Sequence, residues 1–272
     1  MDGTDLPRPG RAADGSSHPS LYRIARRVVA PLLADEIRAE LRDFSTTPRV
    51  IYLSLIAIVI GVLSAFVALV LLRLIGLFTN LFFFLRWGTQ LVPIDHTAIG
   101  PWIVIVPALG GLAVGLIARF GSQKLMGDGI PEAIEAILIG GSRVQPRIAA
   151  LKPLVSAITI GSGGPFGAEG PIIMSGGAFG SLVAQFLHLS NAERKTLLIA
   201  GAAGGVAAIF ATPVAGVLLA IEVMLFEWKP RSLIPVALSA ATAMWMRHYL
   251  IGAGPLFPTP LHTTPLNVEA MI

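Results

Sequence analysis

Residues 50–72 run for 23 positions without one charged side chain. A helix needs about 20 apolar residues to cross the hydrocarbon core of a bilayer, so this block alone is long enough to span. A second charge-free run covers 196–221, and shorter ones cover 101–118, 154–168 and 232–246. Only 13% of the chain is charged, against roughly 25% in soluble domains, and the missing charges are absent from whole blocks that water would not tolerate. Long runs mixed with short, glycine- or proline-broken ones are the pattern of discontinuous transporter helices. A bundle of equal spans would not need it.

The net charge of +4 does not point to a nucleic-acid partner, because the basic residues flank the apolar blocks. Arg23, Arg26 and Arg27 precede the first span, and Arg119, Lys124, Arg143 and Arg147 lie between later ones. The segment 87–100 carries Asp95 and no Lys or Arg. By the positive-inside rule the N-terminus is expected in the cytoplasm. With no cysteine in the chain, thiol catalysis, disulfides and cysteine-ligated metal are excluded.

Residues 1–19 are polar and rich in Gly, Ser, Pro and Asp, with no cleavable signal pattern; 1–30 reads as a disordered cytosolic tail. An amphipathic helix is expected over 31–44, with Leu32, Leu33, Ile37 and Leu41 on one face and Asp35, Glu36, Arg38, Glu40 and Arg42 elsewhere. One long, tilted helix is expected from 48 to about 85. Further helices are expected over 101–119, 128–142, 147–160, 171–187, 192–210, 213–226 and 231–250. Gly111 and Gly115 have the GxxxG spacing that lets helix backbones pack closely. Residues 251–272, with four prolines, read as a connector or a truncated end. No two-residue alternation appears, so the fold class is all-α, a polytopic membrane protein.

Two loops place Gly and Pro at helix starts inside apolar sequence: Gly127-Asp128-Gly129-Ile130-Pro131-Glu132 and the stretch 161–171, which ends Gly167-Ala168-Glu169-Gly170-Pro171. Irregular backbone at membrane depth is tolerated only where it lines a cavity or is buried by protein. Proline in a first helical turn costs no hydrogen bond, and glycine leaves backbone N–H groups uncovered. Each helix N-terminus carries about +0.5 of an elementary charge, so two meeting near mid-membrane form an anion site without a full basic charge. Glu169 is an ionisable residue within apolar sequence and therefore a functional candidate, the alternative being a first-turn Glu that only stabilises its helix dipole.

These loops resemble a known family. Gly127 to Pro131 is similar to the GSGIP motif of the CLC family of voltage-gated chloride channels and chloride/proton antiporters. Gly167 to Pro171 is similar to its GREGP motif, and the segment from Phe210 to Glu222, with Pro213, Ala215 and Gly216, resembles the end of that family's first repeat. The resemblance covers about residues 30–250 and is to the prokaryotic type. It implies a CLC-type helical repeat with tilted and discontinuous helices, chloride or a similar anion as the cargo, protons as a possible second one, and no cofactor. It also implies a homodimer in the bacterial inner membrane whose subunits each hold a pore between two inverted repeats. This chain resembles the first repeat only. A second repeat, on another polypeptide or a longer chain, is expected to complete the pore; without it the product is an inactive fragment.

The same resemblance makes Glu169 the gating glutamate, whose carboxylate occupies an anion position and leaves it on protonation. It makes Asp128, Gly129, Ile130, Ala168 and Gly170 the anion-binding positions, and Lys152 a buried lysine that adds positive potential to the pore. Three positions depart from the family. Asp128 stands where many members have a serine donor, and an ionised carboxylate cannot donate. Chloride fits beside it only if Asp128 is protonated, turned away or paired with a cation; the other reading is a helix cap. Ala168 replaces an arginine common beside the gating glutamate. Val223 follows Glu222 where antiporters place an inner proton-transfer glutamate, which tilts the reading toward passive conduction or an altered proton route.

The remaining ionisable residues have plainer readings. Lys152 could instead snorkel at a helix end. Glu132 and Glu135 are expected to cap or face protein, and His188 and His248 have no partner at metal-ligand spacing. An enzyme is not expected, because no Gly-Lys-Ser/Thr follows the glycine-rich loop and no strand precedes it. The rival transport reading is a carrier of fluoride or another anion, with or without protons, on the same fold.

Overall fold

The computed structural model describes residues 48–92, 100, 102–121, 125, 127, 129–252, 254 and 256. The expected tail, the 31–44 helix, Asp128 and most of 251–272 lie outside the described residues. Among the described residues all regular structure is helical. The elements are α1 (Pro48–Phe84), α2 (Trp102–Phe120), α3 (Ile130–Leu138), α4 (Pro146–Gly161), α5 (Glu169–Phe186), α6 (Asn191–Phe210), α7 (Pro213–Leu219), which runs into a π-helical turn (Ala220–Leu225), and α8 (Pro230–Leu250).

Proline opens α1, α4, α7 and α8, where its missing N–H would have had no intrahelical partner. The 37 residues of α1 measure about 55 Å at 1.5 Å per residue, well beyond a hydrocarbon core of about 30 Å, so the helix crosses at a tilt. By length and hydropathy α1 and the segment Ile103–Phe120 of α2 can each span a membrane. The charge-free run 196–221 is two elements: Ala211, at φ 58°, ends α6 and Pro213 starts α7. The other helices are within two residues of expectation, except that α3 stops at Leu138, where Gly141 and Ser142 both turn at φ 57°.

The core is built around α6, which is buried from Thr196 to Ile209 against α1, α5 and α8. Its Ala- and Gly-rich surface allows this. A Cβ at Gly201 would fall on the Gly176 carbonyl of α5 and lie 3.3 Å from the Gly180 nitrogen, and one at Gly205 would lie 2.8 Å from Ile172 Cγ1. With lipid on the outside, helix association rests on such close contact and on interhelical hydrogen bonds. The Ser64 hydroxyl of α1 donates to the Gly201 carbonyl (3.1 Å), and the Ser239 hydroxyl of α8 donates to the Ala200 carbonyl (2.8 Å).

The GxxxG expectation for α2 is therefore corrected. Gly111 and Gly115 are exposed, and a Cβ on either would meet no atom of the described residues within 4 Å. The close approach in α2 is made by the neighbouring Gly110, against Ser162 at the end of α4. The backbone-to-backbone seam lies on Gly176 and Gly180 of α5 and Gly201 and Gly205 of α6, which have the same spacing.

Candidate anion site at two helix N-termini

α3 and α5 meet at their starts. Gly129, the N-cap of α3, has φ 107°, a conformation open to glycine, and a Cβ there would fall on the Gly170 carbonyl, 2.6 Å from its carbon. Gly170 is the second residue of α5. The two glycine-proline loops, some 40 residues apart in sequence, thus bring two positive helix ends into contact.

The open donors at this junction follow from the prolines. In α5 the first intrahelical bond runs from the Ile172 N–H to the Ala168 carbonyl (3.0 Å). Pro171 has no N–H, so the amides of Ala168, Glu169 and Gly170 are the ones α5 leaves without intrahelical partners. In α3 the first bond runs from the Ala133 N–H to the Gly129 carbonyl (3.0 Å), and Pro131 again donates nothing. The Gly129 N–H, expected to face an anion, instead donates to the Glu132 carboxylate at 2.7 Å. Glu132 is thus a capping residue of α3, and the Ile130 amide remains open within the helix. The spacing, a glutamate three residues after the N-cap, is a sequence signal for this.

Glu169 is the first residue of α5, exposed, and has no hydrogen bond or ion pair among the described residues. Ala168, its N-cap, is half-buried against the core. Lys152 is 1% exposed in the second turn of α4, so the snorkelling alternative does not hold. Its ammonium donates to the carbonyls of Leu125 (3.4 Å) and Gly127 (2.5 Å), which pins the chain just ahead of α3. A cavity of about 250 Å3 opens beside both loops, lined in part by Gly127, Thr159, Phe166, Gly167 and Pro171.

Val223 sits half-buried on the π-helical turn after α7, with Glu222 exposed beside it. No sequence signal marks that turn. It packs chiefly against α6 and also touches α3 and α8, and the Lys195 ammonium of α6 donates to its last carbonyl, Leu225, at 2.9 Å. Glu135 lies exposed on α3, and His188 and His248 are exposed near the ends of α5 and α8. Among the described residues no group of three or more His, Asp or Glu could hold a metal ion.

The profile of the Voltage gated chloride channel family matches residues 109–272, which takes in both loops and everything that follows. The voltage-gated ClC-type chloride channel ClcB of Yersinia pseudotuberculosis is 30% identical over 202 residues, 72% of this chain and 48% of that protein. The H(+)/Cl(−) exchange transporter ClcA of Salmonella paratyphi B is 32% identical over 207 residues, 74% of this chain and 41% of that one. The chain thus spans less than half the length of these curated relatives. Among solved structures, a slow cyanobacterial Cl−/H+ antiporter superposes with a TM-score of 0.58 at 18% identity, over 84% of this chain and 52% of that one.

Proposed function

This chain belongs to the voltage-gated chloride channel family, and from that membership we propose that it supplies one half of a transmembrane anion pathway gated by Glu169. The observation that carries the reading is the contact of Gly129 with Gly170, which joins the positive ends of α3 and α5 beside a carboxylate that has no partner among the described residues. The amides of Ala168, Glu169 and Gly170, with that of Ile130, receive the anion. The ionised Glu169 side chain competes for the same amides, and its protonation or swing outward admits the permeant ion.

Lys152 adds positive potential from α4 and holds the loop of Asp128 in place through the Gly127 carbonyl. The other wall of the pathway comes from a complementary repeat that covers Phe166 and Glu169, both exposed in this half. The subunit pairs with a second copy in the bacterial inner membrane, its N-terminus in the cytoplasm. Chloride is the first candidate cargo, fluoride and nitrate the comparisons. Val223 favours conduction over proton-coupled exchange.

The test is anion efflux from liposomes containing the full-length protein, with Glu169→Gln beside the wild type. A neutral side chain that no longer competes as an anion is expected to raise chloride flux and flatten its dependence on pH. Equal flux and equal pH dependence in the two proteins would remove Glu169 from the pathway.

A further inference from the structure

Glu132 has a second consequence for the junction, one that rests on the anion-pathway reading above. Its carboxylate is held in place: one oxygen accepts the Gly129 N–H at 2.7 Å, and the other lies where a Cβ on Gly127 would project. Gly127 is therefore a glycine because a carboxylate fills the space its side chain would need. On the other side of the first turn of α3, a cavity of about 200 Å3 is lined in part by Glu132, Glu135, Arg143 and Gln145.

We propose that Glu132 is a specificity-determining residue of the anion pathway: a fixed internal anion that occupies the Gly129 amide and holds the affinity of the junction for permeant anions low. Glu169 can leave its amides, whereas Glu132 is fastened to its own. Its charge opposes the attraction of two helix N-termini and of Lys152. A conducting site requires that balance, because an ion bound too tightly at the meeting of two helix ends does not leave. The amide that Glu132 takes is also withdrawn from ion coordination, so recognition rests on α5 and on Ile130.

Glu132→Gln tests the charge alone, since the carboxamide oxygen still accepts from Gly129. Chloride uptake by liposomes containing the full-length protein is measured against chloride concentration, with thermal unfolding followed in detergent. The expected result is a several-fold fall in half-saturating chloride, with the unfolding midpoint unchanged. An unchanged half-saturation in an active protein overturns the proposal and leaves the pathway reading intact, whereas a wild type that moves no anion overturns the reading itself and this inference with it.

If Glu132→Gln does not fold, the contact is tested through Gly127. Gly127→Ala, whose Cβ would displace the Glu132 carboxylate, is expected to lower half-saturating chloride several-fold, as removal of the charge would. An unchanged half-saturation in an active Gly127→Ala protein would overturn the proposal.

Discussion

Asp128 is the residue whose chemistry conflicts most with its expected position. A unit charge there and a chloride about 4 Å away repel by roughly 4 kcal/mol at an effective dielectric near 20, enough to empty the site unless a cation or a proton compensates. Lys152 is bonded to the carbonyl of the preceding residue, Gly127. Asp128→Ser in the full-length protein is expected to raise chloride conductance and shift preference toward chloride over nitrate; unchanged rate and selectivity would remove residue 128 from the pathway. At this scale the place of Glu169 at the start of its helix could be read from its motif, and the burial of Lys152 only from the family resemblance. The bond from Gly129 to Glu132 was legible only as spacing, because whether a carboxylate caps or faces the pore depends on where a flanking glycine leaves room.

Among the elements, α5 and α6 carry the packing, and their seam gives the sharpest stability prediction. A Cβ at Gly201 meets main chain on α5, which cannot give way as a flexible side chain would. Gly201→Val is expected to cost about 1–3 kcal/mol, the usual penalty for overpacking, and to lower the unfolding midpoint in detergent. Gly111→Val, on an open face of α2, is expected to leave the midpoint unchanged. Equal effects would mean that the seam is not where the structure has it. Apolar runs and prolines made the helices and most of their ends readable from sequence. Which GxxxG pairs are used was not, since the spacing is the same in α2, α5 and α6 and only the three-dimensional neighbours differ. The π-helical turn was unreadable for a related reason: 220–225 keeps a helical composition that does not distinguish a π turn from an α-helix.

At the scale of the whole molecule, eight helices and one π turn among the described residues pack around α6 and leave the Glu169 carboxylate exposed. The all-α membrane fold could be read from the charge-free runs, and the family from three ordered motifs. The meeting of α3 and α5 is a long-range contact that only their shared glycine-proline starts hinted at. If the pathway needs a complementary repeat, liposomes containing residues 1–272 alone are expected to show no anion flux that Glu169→Ala alters, and such flux would show that this half suffices.

The most direct test of the central claim is a crystal structure of the full-length Glu169→Gln protein soaked in bromide, read by anomalous scattering. The account predicts a bromide peak within hydrogen-bonding distance of the Gly170 amide, where α3 and α5 meet. Bromide bound elsewhere along the pathway, with that junction empty, would contradict it.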